Sequence, residues 1–125
     1  MPNLQALPAH RKWWGLVAVY AAAILVVSVI PTGRAVSVGH LDKVAHVCEY
    51  LLFAWLLVRA LRAGRLRQPE YVVLDWIFAS SYGLLIELLQ SLLPWRSAEL
   101  WDALMNALGA AVGCWAGPRF PRPQP

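Results

Sequence analysis

The sequence predicts an all-α integral membrane protein built as a four-helix bundle, and three observations support this fold class. Of its 125 residues, 59% are hydrophobic and only 14% are charged, whereas soluble domains carry roughly 25% charged residues. Four long apolar runs follow one another, separated by segments that contain proline, glycine or arginine. Seven tryptophans and four tyrosines supply the aromatic side chains that anchor spans at membrane interfaces.

Each apolar run predicts one membrane-spanning helix. The first, 13–30, has no charge over 18 residues and stops at Pro31, which is long enough to cross a bilayer. The others are 44–61, 71–93 and a run from about 100 to 115. A cleaved signal peptide is the alternative for the first run, but its apolar region would normally have only about 7–15 residues.

Positive charge predicts the orientation of the spans. Basic residues are concentrated before the first run, between the second and third, and after the fourth: Arg11, Lys12, Arg59, Arg62, Arg65, Arg67, Arg119 and Arg122. The positive-inside rule therefore puts both termini in the cytoplasm, and an even number of spans agrees with this. We expect a cytoplasmic segment over 1–12, a transmembrane domain over 13–117 and a disordered cytoplasmic tail over 118–125.

Polar side chains recur where the spans reach the predicted outer face. Ionisable groups inside a span are costly and by default face the bundle interior. Helical spacing places them on inward faces, so we predict a binding site made of Asp42, Lys43, His46, Tyr50, Glu87, Gln90, Arg96, Asp102 and Asn106. A purely structural role is the alternative, with Asp42 as an N-cap and the rest as a network of ion pairs.

Three glycines line one face of the fourth predicted helix. Gly109, Gly113 and Gly117 form two successive GxxxG patterns, which let helix backbones approach closely in lipid. The pattern predicts packing of this helix against a neighbour, either within the chain or in a second copy of a homo-oligomer.

The sequence also excludes several classes of function. No basic cluster with interleaved aromatic residues is present, so we expect no nucleic-acid partner. Cys48 and Cys114 lie at different predicted depths, too far apart for a disulfide. No spacing of His and Cys is typical of a structural zinc site, and two cations beside the carboxylates disfavour a metal. We predict neither a metal nor a cofactor.

The polar residues form a spaced pattern between 41 and about 117. It consists of Asp42-Lys43-x-x-His46-x-x-x-Tyr50, Glu87-Leu88-x-Gln90, Pro94-x-Arg96-Ser97 and Asp102-x-x-x-Asn106-x-x-Gly109. In this order and spacing the chain resembles the VanZ-like family of bacterial membrane proteins, although Glu49 departs from the pattern. The resemblance implies a multi-pass protein of the bacterial inner (cytoplasmic) membrane. Named members of the family lower susceptibility to glycopeptide antibiotics such as teicoplanin.

Three functions fit these residues, in decreasing order of preference. The first is binding of a lipid headgroup or cell-wall precursor, with Lys43 and Arg96 pairing with its anionic oxygens. The second is a small intramembrane enzyme in which Asp42 orients His46 as a general base and Glu87 acts as an acid. The third is a lipid transporter or flippase, for which four short helices offer little room.

Overall fold

The structure is a bundle of α-helices, so the predicted fold class is confirmed. The computed structural model describes residues 9–31, 39–63, 70–96 and 98–119, without the side chains of 9 and 39–42. Within these ranges the helices are α1 (Ala9–Val29), α2 (Gly39–Ala63), α3 (Glu70–Ser91) and α4 (Leu100–Ala116), and a 3₁₀ turn over Gly117–Arg119 follows α4. The described residues contain no strand.

The helices have the length and the apolar surface of membrane spans. Three are long and apolar enough to cross a bilayer, namely His10–Val29, Lys43–Ala63 and Glu70–Ser91. The fourth, α4, has 17 residues, which is the lower limit of the usual range of about 17–25. Large apolar side chains remain exposed on the outside of the bundle, as Leu85 and Trp101 illustrate. The chain is therefore a membrane protein.

Two helices extend beyond the apolar runs that predict them. Helix α1 begins at Ala9, four residues before the first run, and α2 begins at Gly39, five residues before the second. Long basic side chains allow such extensions, because their charged ends can reach water from a helix that has already begun. The predicted segment 1–12 is described only from residue 9, and the tail 118–125 only to residue 119.

Helix α2 lies at the centre of the bundle and contacts the other three helices. Its Phe53 is completely buried. The Phe53 ring lies 5.3 Å from that of Tyr82 on α3 and 6.0 Å from that of Tyr20 on α1, measured between ring centres. This aromatic core packs the three helices together in the middle of the bundle.

The glycine ridge of α4 packs against α2 of the same chain. Gly109 lies on Val47, Gly113 on Leu51 and Gly117 on Val58. A Cβ atom on Gly109 or Gly113 would collide with a backbone carbonyl oxygen of α2, so only glycine permits this approach. The ridge therefore sets the distance between α2 and α4, while the predicted homo-oligomer stays a prediction.

The two ends of the bundle differ in chemistry. At one end, Arg59 lies over the Trp13 ring at 5.0 Å, and Arg62 donates a hydrogen bond of 3.2 Å to the Gly117 carbonyl. We call this the arginine end, defined by Arg59, Arg62 and Arg119. The opposite end, where α2 and α4 begin and α1 and α3 finish, is called the polar end below.

Candidate functional site at the polar end

Polar side chains from three helices meet at the polar end. We define the polar cluster as Lys43, His46 and Tyr50 of α2, Glu87 of α3, Asp102 and Asn106 of α4, and Glu99, the residue that precedes α4. The glycine ridge brings α2 and α4 together, and Gly83 does the same for α3. A Cβ atom on Gly83 would lie only 3.0 Å from both the Tyr50 ring and Asn106 Cβ.

Lys43 binds two carboxylates of the cluster. Its Nζ atom donates to Asp102 Oδ1 at 2.9 Å and to Glu99 Oε2 at 3.1 Å. Glu99 lies at the exposed rim, where 55% of its side chain is accessible, whereas only 10% of the Asp102 side chain is. The lysine therefore neutralises part of the negative charge where the cluster opens to the surface.

His46 is held in place from both sides of its ring. Its Nδ1 atom lies 3.0 Å from the side-chain oxygen of Asn106, and its Nε2 atom lies 3.6 Å from Asp102 Oδ2. Asn106 is almost completely buried, with 1% of its surface exposed. The imidazole is thus oriented by two residues of α4 rather than left to rotate freely.

Glu87 and Tyr50 carry the polar atoms of the cluster that lack partners. Glu87 Oε2 accepts a hydrogen bond of 3.2 Å from the Glu99 backbone N–H. Its Oε1 atom and the Tyr50 hydroxyl are buried and have no hydrogen-bond partner among the residues that the structure describes. Leaving a buried polar group unpaired costs about 1–3 kcal/mol, and more for a charged one.

Two predicted site residues, Gln90 and Arg96, bind the end of α1. Gln90 donates to the Ser28 carbonyl at 3.1 Å. An Arg96 NH2 group donates to the carbonyls of Val27 at 2.6 Å and Ile30 at 3.2 Å. The last carbonyls of a helix have no partner within the helix, so these two side chains satisfy them at membrane depth.

One predicted residue is not fully described, and one residue that was not predicted contributes to this end. The side chain of Asp42 lies outside the described residues, so its predicted place in the site stays a prediction. Trp95, which the sequence did not single out, donates from its indole N–H to the Val29 carbonyl at 2.9 Å and so completes the group of side chains that bind the end of α1.

A further carboxyl, Asp75, was missed by the sequence analysis. It is completely buried on α3, and its position twelve residues before Glu87 places it toward the arginine end. The signal was available, because an acidic residue within a long apolar run is by default turned inward. Its i, i+4 spacing with Ala79 and Gly83 also matched the inward face of α3.

A family model described as VanZ/LLP1 matches residues 3–120. The chain belongs to the VanZ/LLP1 family. No curated protein and no solved structure matches it.

Within this VanZ/LLP1 protein, the polar cluster has the chemistry of a site that accepts hydrogen bonds. Three carboxylates, Glu87, Glu99 and Asp102, stand against one lysine and one imidazole. Among the described residues, no three His, Cys, Asp or Glu side chains converge as they would around a metal ion. Cys48 is exposed and Cys114 is buried, and both are free thiols.

Proposed function

We propose that this VanZ/LLP1 protein binds the polar headgroup of an envelope lipid or cell-wall precursor in the polar cluster. The observation that carries the proposal is the pair of unpaired buried groups, Glu87 Oε1 and the Tyr50 hydroxyl. A bound headgroup would supply the partners that these atoms lack. Proteins commonly keep such unfavourable groups where function requires them.

The charge balance indicates what kind of headgroup fits. The cluster holds more carboxylates than cations, and Lys43 is already paired with Glu99 and Asp102. Arg96 donates to α1 carbonyls, so the anion-binding role predicted for these two cations has less support. We therefore favour a headgroup that presents an ammonium or another N–H donor to Glu87, such as an amine-bearing phospholipid or the peptide of a precursor.

The proposed location is the outer face of a bacterial cytoplasmic membrane. The arginine end carries the excess of positive charge, and such ends face the cytoplasm. The polar end then faces outward, where cell-wall precursors are used. Binding there would mask or rearrange the targets of a glycopeptide such as teicoplanin, which would connect this chain to the resistance associated with its family.

A second candidate is an intramembrane enzyme, and the geometry of His46 favours it. An imidazole that donates from Nδ1–H to the Asn106 side-chain oxygen would keep Nε2 as its basic nitrogen and so resembles an oriented general base. In that case His46→Ala would abolish turnover of the headgroup and leave its binding intact. Under the binding proposal alone, incubation with the wild-type protein would leave the headgroup chemically unchanged.

Native mass spectrometry of the purified protein tests the proposal. The protein would be equilibrated with equal amounts of phosphatidylethanolamine, which carries an amine, and phosphatidylglycerol, which does not. We expect the wild type to retain phosphatidylethanolamine preferentially. Glu87→Gln should lose this preference, because it removes the charge that receives the ammonium.

Glu70→Gln is the matched control for this experiment. Glu70 is an exposed glutamate at the opposite end of the same helix, so its substitution should leave lipid retention unchanged. The proposal would be contradicted if the wild type and Glu87→Gln retained phosphatidylethanolamine equally, or if the wild type preferred phosphatidylglycerol.

A further inference from the structure

Asp75 is a buried carboxyl that the proposed headgroup site does not use. None of its surface is exposed, and neither carboxyl oxygen accepts a hydrogen bond from an N–H or O–H group of the described residues. It lies twelve residues from Glu87, which corresponds to about 18 Å along a helix that rises ~1.5 Å per residue. The two carboxyls therefore belong to different halves of the bundle.

Three arginines at the arginine end have partners of their own. Arg59 lies over the rings of Trp13 and Trp55, and Arg62 donates to the Gly117 carbonyl. Arg119 binds the Trp115 carbonyl and lies over its ring. These arginines have partners other than the Asp75 carboxyl.

The groups that face Asp75 are themselves uncharged. The Cys114 thiol of α4 lies next to the carboxyl. Tyr71 is buried one turn earlier on the same face of α3. An ionised carboxylate with only a thiol beside it and no cation is strongly disfavoured in an apolar interior, and such a group takes up a proton instead. This buried position therefore favours the neutral carboxylic acid.

A surface groove lies between α3 and α4 near this carboxyl, toward the arginine end. Its volume is about 440 Å³, and its lining includes Val72 and Trp76 of α3, Cys114 and Trp115 of α4, and Arg119. Cys114 belongs to both places, because it lines the groove and also lies against Asp75. The Cys114 side chain thus borders both the carboxyl and the groove.

We propose that Asp75 is a proton-binding site that exchanges its proton with water at the arginine end through the groove between α3 and α4. The reaction is the dissociation of the carboxylic acid into a carboxylate and a proton, which passes to water in the groove. The carboxylate needs water to remain charged, so loss of the proton requires α3 and α4 to separate around Cys114. Protonation lets the two helices pack around Cys114 again.

The native thiol of Cys114 provides the first test. In a Cys48→Ser protein reconstituted in vesicles, Cys114 is the only cysteine, and its rate of reaction with a maleimide would be measured across a range of pH. The reaction rate of any thiol rises as the thiol ionises. The comparison is therefore with a protein that also carries Asp75→Asn. A carboxylate beside the thiol would by itself hold back thiolate formation, so a rate that rises several-fold more steeply with pH when Asp75 is present, which we expect, reports the separation of α3 and α4.

Glu70→Gln serves as the matched control, because it removes an exposed carboxyl near the same end and should leave the steeper profile intact. Identical pH profiles for the Cys48→Ser protein with and without the Asp75→Asn substitution would overturn the proposal.

Infrared spectroscopy provides a second test that needs no folded variant. Aspartate labelled with ¹³C at the side-chain carboxyl identifies the acid band of the wild-type protein. We expect a protonated carboxylic acid at neutral pH that converts to carboxylate as the pH rises. Spectra that contain only carboxylate bands for the labelled aspartates at neutral pH would show that Asp75 is ionised and would overturn the proposal.

Discussion

Two tyrosines on facing helices, Tyr50 and Tyr82, show how the same side chain serves different purposes. The Tyr82 hydroxyl donates a hydrogen bond of 2.5 Å to the Ala21 carbonyl and so ties α3 to α1. The Tyr50 hydroxyl is buried and has no partner among the described residues. The first hydroxyl stabilises the bundle, whereas the second lowers its stability unless a ligand binds it.

Substitution of each tyrosine by phenylalanine should therefore change stability in opposite directions. We expect Tyr50→Phe to raise the free energy of unfolding by about 1 kcal/mol, because it removes an unpaired buried hydroxyl. Tyr82→Phe should lower it by about 0.5–1.5 kcal/mol, the usual value of one hydrogen bond. Unfolding in detergent, followed by circular dichroism, measures both.

The same two substitutions also test whether the Tyr50 hydroxyl binds a lipid headgroup. Tyr50→Phe should also retain less phosphatidylethanolamine in the native mass spectrum, while Tyr82→Phe should retain as much as the wild type. A Tyr50→Phe protein that is less stable than the wild type would mean that its hydroxyl already has a partner, and the unpaired group could no longer support the proposed site.

At the scale of the helices, α4 is the element on which the site depends. One face carries Asp102 and Asn106, which orient His46, and the continuation of the same face carries the glycine ridge. The position of the polar side chains relative to α2 therefore follows from how closely the two backbones approach. A substitution in the glycine ridge is therefore expected to shift the side chains of the polar cluster, although it changes none of them.

Gly113→Ala tests the ridge. A Cβ atom there would collide with the Leu51 carbonyl oxygen and lie 2.8 Å from Ala54 Cβ, so we expect a loss of about 1–3 kcal/mol from overpacking. Gly15→Ala is the control, because its Cβ would meet nothing within 4 Å. There the higher helix propensity of alanine should add up to about 1 kcal/mol. Equal unfolding free energies for the two variants would contradict close packing at the ridge.

Besides its apolar packing on the core, helix α1 is held by polar contacts at its end. The carbonyls of Val27 and Val29 accept hydrogen bonds from Arg96 and Trp95, which belong to the segment between α3 and α4. Since the next helix carries Asp102, this segment connects the end of α1 to the polar cluster. Arg96 thus lies at the polar end but donates to backbone carbonyls of Val27 and Ile30.

At the scale of the whole molecule, the bundle is polar at one end and rich in arginine at the other. The start of α1 and the end of α4 both lie at the arginine end, as four consecutive antiparallel helices require. This arrangement agrees with the predicted even number of spans. The direction in which the bundle is inserted into the membrane requires a separate measurement.

Cysteine labelling in intact cells tests that direction. In a protein with Cys48→Ser and Cys114→Ser, single cysteines would be introduced by Ala98→Cys and Glu70→Cys, both at exposed positions. A maleimide that cannot cross membranes should react with the first and not with the second, because the arginine end is expected to remain in the cytoplasm. The reverse pattern would move the polar cluster to the cytoplasmic side.

The sequence by itself determined the helices, their inward faces and the depth of most polar residues. Hydrophobic periodicity along one helix is a local property, so the burial of Tyr50, Phe53 and Asn106 could be predicted from spacing alone. The resemblance to the family could also be recognised from the sequence, since it depends on the order and spacing of particular residues. Asp75 could have been predicted in the same way and was overlooked.

Only the tertiary structure decided which side chains pair. Lys43 and Arg96 had the same predicted role, yet Lys43 binds Asp102 and Glu99 while Arg96 binds the carbonyls of α1. The glycine ridge could have faced a second copy, yet it lies on α2. The physical reason is that contacts between helices depend on their relative rotation and separation, which are set by the packing of all four helices together and not by the periodicity of any one of them.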